Sequence, residues 1–152
     1  MRRFIILIIF PLLFCERTEE DIELTDLSGN EYRVSDFKGK IVLLDFWATW
    51  CPPCHMSIPE IISLHEKYSD RGLIVVGISL DRDYNTLKRY CEKKDIPYLI
   101  LIGNQKITKR YDIKAIPTFF LLDRKGKVVY HQVGYLPEKF AEIDRKIGEL
   151  IE

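Results

Sequence analysis

The residues in this chain best suited to chemistry are Cys51-Pro52-Pro53-Cys54. Two cysteines separated by two residues can close a disulfide or open to a dithiol, and a pair that does both is a redox device. Their setting is the run DFWATWCPPC at positions 45–54. An apolar stretch, residues 41–46, leads into the pair, and a helix-like pattern leads out. The thiols therefore belong at a strand-to-helix turn, where a helix N-terminus can stabilise a thiolate. Pro52 and Pro53 remove two backbone N–H donors from that first turn, although proline suits the first helical position. The lost donors argue against a strongly stabilised Cys51 thiolate, and so for a reductant rather than a strong oxidant.

The elements that must position the thiols can be read from periodicity. Residues 22–24 and 32–34 flank Ser28-Gly29-Asn30 and predict a small β-hairpin ahead of the main domain. Residues 35–40 read as a turn or one helical turn. Residues 41–46 predict a strand buried on both faces, with Asp45 its only acid. Residues 52–69 predict a helix kinked at Pro59. Residues 73–79 predict a second buried strand and 83–94 a second helix, with Leu87, Tyr90 and Cys91 on one face. A strand, a helix-length crossover and a strand imply parallel pairing with a right-handed connection. A short strand (98–102), a short helix (105–111), a hairpin (118–122 and 128–133) and a closing helix (137–151) complete the order. The fold class is α/β, with a mixed sheet flanked by helices on both faces and an added N-terminal hairpin.

The 152 residues bound the rest: one domain plus a short extra segment. With 23 basic and 23 acidic residues, the formal net charge is +0, so no basic field points to nucleic acid. Met1-Arg2-Arg3 followed by the apolar residues 4–14 reads as an export signal. At ~1.5 Å per residue that apolar run spans roughly 16 Å, too short for a ~30 Å hydrocarbon core. Leu12-Leu13-Phe14-Cys15 resembles a bacterial lipoprotein cleavage site, which makes Cys15 the expected lipidation site, although Phe14 stands where such sites prefer a small residue. The expected division is an export segment (1–15), a tether (16–21) and a folded domain (22–152). The domain is expected on the outer side of the membrane, held there by the N-terminal anchor or exported by the signal.

Together, DFWATWCPPC, Pro59 five residues after Cys54, and Ile116-Pro117-Thr118 before a hairpin resemble the thioredoxin fold. The leading hairpin, VVGISLD at 75–81 and FFLLDRKGKVV at 119–129 narrow the resemblance to the TlpA/ResA-type thiol–disulfide oxidoreductases. That resemblance implies a redox disulfide between Cys51 and Cys54, with Cys51 the exposed attacking thiol and Cys54 the resolving one. It implies that Pro117 is cis and that Ile116 pairs with substrate like an added strand, with Trp50 and Pro52 beside the groove. It further implies an extracytoplasmic reductant of disulfides in exported proteins such as apocytochromes c, with electrons from a membrane thiol donor. The chain is expected to act as a monomer and to need no cofactor. Two departures stand out. Ser57 occupies the position where this group commonly carries glutamate, and Glu60 is a full turn further on. Asp45 stands where the exported group more often has an amide. A buried carboxylate there has a raised pKa and can take a proton from Cys54, so Asp45 is the expected acid–base group.

Other chemistries fit less well. CPPCH matches the c-type haem attachment pattern, but His55 also reads as the residue that simply follows the inner cysteine. A copper or zinc chaperone could use Cys51 and Cys54 with His55 or His131, yet no second CxxC completes a closed site. A thiol peroxidase is conceivable on this fold, but its cysteine usually lacks so close a partner. Cys91 reads as a buried thiol that behaves as a small hydrophobe, and His65 as a structural helix residue.

Overall fold

Residues 21–152 are described by a computed structural model. The expected export segment, Cys15 and residues 16–20 of the tether lie outside the described residues. In chain order the strands are β1 (Glu23–Asp26), β2 (Glu31–Arg33), β3 (Ile41–Trp47), β4 (Leu73–Ser79), β5 (Leu99–Ile102), β6 (Thr118–Leu122) and β7 (Val128–Val133). The helices are α1 (Pro52–Tyr68), α2 (Tyr84–Lys93), α3 (Gln105–Arg110) and α4 (Pro137–Ile151), with 3-10 turns at Val34–Phe37 and Ser69–Arg71. Element types agree with the expectations throughout. α1 continues through Pro59, whose ring lies on the exposed side of the helix.

The strands form one mixed sheet in the order β2-β1-β5-β4-β3-β6-β7. β3, β4 and β5 run parallel, and β6 runs antiparallel to β3. The chain steps from β3 to β4 to β5 in one direction, so right-handed crossovers place α1 and α2 on the same face. Ile61 of α1 and Leu87 of α2 share a core with Phe140 and Ile143 of α4. α3 returns the chain to the far side of β3 across the opposite face, where Ile107 and Phe37 cover a second core. The hairpin does not stand apart: β1 pairs with β5 through Thr25–Ile102 and Asp26–Leu101, which extends the sheet.

β3 is buried along its whole length. Its alternation divides the two cores, with Ile41, Leu43 and Trp47 toward α1 and Val42, Leu44 and Phe46 toward α3. Asp45 falls on the α1 side by the same alternation. β3 therefore ends in the middle of the sheet, and α1 starts after four intervening residues, above its C-terminal end.

Candidate active site

Cys51 is the N-cap of α1, with extended backbone (φ −103°, ψ 102°), and Pro52 and Pro53 fill the first two helical positions. The first N–H the helix has to offer is therefore that of Cys54, and it points at Cys51 Sγ at 3.3 Å. One donor survives the two prolines, and it is shared between the sulfur and the Cys51 carbonyl oxygen, the latter at 3.1 Å. Cys51 and Cys54 are joined as a disulfide, with Cα atoms 5.3 Å apart. Cys54 is fully buried, and Cys51, expected to be exposed, is only 4% accessible. The Ile116 carbonyl oxygen lies 3.8 Å from Cys51 Sγ and contributes to that cover.

The Ile116–Pro117 bond is cis. Pro117 is buried and its carbonyl accepts from Gly134 N–H at 2.7 Å, while Thr118 Oγ1 donates to the Ala115 carbonyl at 2.7 Å. The β6 ladder begins at Thr118, so the Ile116 peptide groups lie beyond it, next to the sulfur. Pro52 is exposed, and Trp50 is 65% accessible. The structure thus brings Cys51, Cys54 and Ile116 together, with Pro117 adjacent in the chain and Trp50 and Pro52 on the rim.

Asp45 is fully buried, and neither carboxylate oxygen has a hydrogen-bond partner among the described residues. Burial alone pushes its carboxyl up to about 8, so in the disulfide form it is mostly protonated at pH 7. Its register partner on β4 is Gly77. A Cβ at Gly77 would lie 2.7 Å from Ile100 Cδ1, 3.0 Å from Trp47 Nε1 and 3.3 Å from Tyr98 Cε2. The position opposite Asp45 therefore brings no counter-charge and has no room for one. Ser57, which replaces the expected glutamate, is fully buried and donates to the Cys54 carbonyl at 2.9 Å. That bond tightens the first turn of α1.

The contacts of Thr49, Asp81 and His55 are not legible in the sequence. Asp81, part of the charged run Asp81-Arg82-Asp83, accepts from Thr49 N–H at 2.9 Å, from Thr49 Oγ1 at 2.5 Å and from Ser79 Oγ at 2.7 Å. His55 is half-buried, its Nε2 lies 2.6 Å from the Thr49 carbonyl oxygen, and its ring stacks on Tyr90. The only hint was that Thr49 and Asp81 each sit two residues past a strand end. His131 stacks on Phe120, on the α3 side of the sheet, away from the core that holds Cys54. Cys91 is buried at 7% accessibility, and its thiol is pushed up to about 12, mainly by burial with smaller contributions from Asp81 and Glu92.

A dithiol that opens and closes at the end of a central strand, beside a free stretch of backbone that an extended chain can join, is the working part of the thioredoxin fold. It makes this protein a thiol–disulfide oxidoreductase. The chain belongs to the Redoxin family, whose profile matches residues 17–147, and within the thioredoxin superfamily it is TlpA/ResA-like. It is 34% identical over 134 residues to the thiol-disulfide oxidoreductase ResA of Geobacillus kaustophilus (strain HTA426), covering 88% of this chain and 76% of the relative. It is 35% identical over 130 residues to the thioredoxin-like protein YneN of Bacillus subtilis (strain 168), covering 84% and 75%. Among solved structures, a Chlorobium tepidum protein described as thiol:disulfide interchange protein DsbE superposes with a TM-score of 0.81 at 30% identity, covering 87% of this chain and 94% of that one. The exposed lipoprotein thioredoxin of Streptococcus pneumoniae strain TIGR4 superposes with a TM-score of 0.70 at 28% identity, covering 86% and 99%.

Proposed function

We propose that this protein reduces disulfides in exported proteins, apocytochromes c among them, from the outer side of the membrane to which its N-terminal segment holds it. The observation that carries the reading is the Cys51–Cys54 disulfide at the cap of α1, with Cys51 Sγ 3.8 Å from the Ile116 carbonyl. The residue pattern at 1–15 and the likeness to an exposed lipoprotein thioredoxin and to a DsbE protein support the location and the substrate class. Disulfide-containing proteins are the partners, and a membrane thiol donor recharges the pair.

In the reducing direction the Cys51 thiolate attacks one sulfur of the substrate disulfide. The other substrate sulfur leaves as a thiolate, and a mixed disulfide forms. Cys54 then gives its proton to the Asp45 carboxylate, and its sulfur attacks Cys51 Sγ. The enzyme disulfide closes, the second substrate sulfur leaves, and two electrons have passed to the substrate. The disulfide form, with Asp45 neutral below about 8, fits the end of that step. A donor thiolate attacking Cys51 reverses it, and Cys54 takes the proton back as it leaves. Trp50, Pro52, Ile116 and Pro117 form the docking edge for an extended substrate chain.

The test is capture in the native compartment. A Cys54→Ala protein should hold its substrate as a mixed disulfide through Cys51, in a membrane fraction exposed to external protease. Capture only by Cys51→Ala would reverse the two roles, and capture of cytoplasmic proteins would overturn the location.

A further inference from the structure

We propose that Asp81 is a positioning residue for disulfide exchange, acting through Thr49 to fix the turn that presents Trp50 and Cys51 to substrate. The inference rests on the oxidoreductase reading of Cys51. The turn spans residues 48–51 and is closed by Cys51 N–H donating to the Ala48 carbonyl at 3.2 Å. Thr49, inside it, is held at every polar group. Its N–H and hydroxyl donate to the two different oxygens of the Asp81 carboxylate, at 2.9 and 2.5 Å. Its carbonyl oxygen meets His55 Nε2 at 2.6 Å. Asp81 is itself fixed to the end of β4, because Ser79 Oγ donates to its carboxylate at 2.7 Å and accepts from its N–H at 3.0 Å. Leu80 N–H donates to the Trp47 carbonyl at 2.8 Å and ties that segment to β3.

The grip comes from both sides, with β4 holding the donors of Thr49 and α1 its acceptor. Hydrogen bonds to a carboxylate are the stronger kind, and two on one residue fix orientation as well as position. The residue left outward from this clamp is Trp50. A cavity of about 520 Å3 opens beside it, walled by Thr49, Trp50, Leu80, Asp81 and Thr86 among others. A substrate chain that docks against a turn already ordered avoids the entropy cost of ordering it. The clamp should therefore matter most for substrates that use the groove, and least for a small disulfide that needs only the sulfur.

Two probes separate those cases: insulin, whose disulfides sit in a polypeptide, and 5,5′-dithiobis(2-nitrobenzoate), a small disulfide with no polypeptide attached. Asp81→Ala removes every contact at once, so Thr49→Val and Thr49→Ser carry the test. Thr49→Val should raise KM for insulin so that kcat/KM falls about tenfold further for insulin than for the small disulfide, the scale expected for one charge-assisted hydrogen bond. Thr49→Ser, which restores the hydroxyl, should recover most of that loss, and Asp81→Asn should fall between. Equal losses on both probes, or an unchanged insulin KM in Thr49→Val, would overturn the positioning role. A wild-type protein inactive on both probes would instead overturn the oxidoreductase reading.

Discussion

Two aspartates flank the strand-to-helix turn that carries the disulfide, and the fold treats them in opposite ways. Asp81 takes three hydrogen bonds from Thr49 and Ser79 at the end of β4. Asp45, on β3 under α1, has none among the described residues and no accessible surface. A buried carboxyl without partners is held neutral at a cost in stability, whereas a bonded carboxylate contributes to it. Natural proteins keep the first kind chiefly where chemistry uses it. On the mechanism proposed above, Asp81 serves geometry and Asp45 the proton.

The largest effect expected from that contrast is at Asp45. Its pKa stands at about 8 in the folded protein against 3.8 as the ordinary value. Between those values the unfolded chain has lost the proton and the folded one has kept it, so wild-type stability falls as pH rises from about 4 to 8. At roughly 1.4 kcal/mol per unit, the accumulated cost at pH 8 is on the order of 5 kcal/mol. Asp45→Asn removes that slope. Urea unfolding at pH 4.5, 6 and 8 should show the variant gaining on wild type at each step, with no further gain well above pH 8. Activity should move the other way. Reduction of the enzyme disulfide needs the protonated carboxyl, so the variant should be slower by about 10²-fold below pH 8. That deficit should shrink as pH rises through about 8 and the wild-type acid is lost. A constant ratio across that range would leave Asp45 without a role in proton transfer.

Asp81 should give the opposite sign on a smaller scale. Asp81→Ala strands Thr49 N–H and two hydroxyls, and should cost about 3 kcal/mol in urea unfolding at pH 7. If replacing either aspartate destabilised the protein equally at pH 7, the distinction between them would collapse.

How far the sequence reveals this contrast depends on the range of the forces involved. β3, α1 and the position of Cys51 are local: an unbroken apolar run, then two prolines where a helix starts. Burial of Asp45 follows from the same run, because an acid between Leu44 and Phe46 in a strand covered on both faces must go inside. The cis Ile116–Pro117 bond and the roles of Trp50 and Ile116 came from resemblance, since no spacing rule places residue 116 beside residue 51. The Asp81 clamp was illegible because it joins residues 32 apart at the ends of two strands. Neither strand reveals how its last residue is turned. For the same reason the β1–β5 pairing, which makes the hairpin part of the sheet, could not be read from the hairpin itself.

The smallest expected effect probes the space beside Asp45. Gly77 faces it across the β3–β4 ladder, and an alanine there would press a methyl toward Ile100, Trp47 and Tyr98. The Ile100 contact, at 2.7 Å, is with the end of a side chain that can rotate away. The indole nitrogen of Trp47, at 3.0 Å, belongs to a rigid ring fully buried in the same core, so it can yield only by moving with β3. Gly77→Ala should therefore cost about 1–2 kcal/mol, the range for modest overpacking. The added methyl also displaces any polar solvation of the carboxyl and should extend the pH range over which stability falls, above the wild-type limit near 8. A destabilised variant whose pH dependence matches wild type would show that the neutrality of Asp45 is set by β6 and α1, and not by the missing side chain on β4.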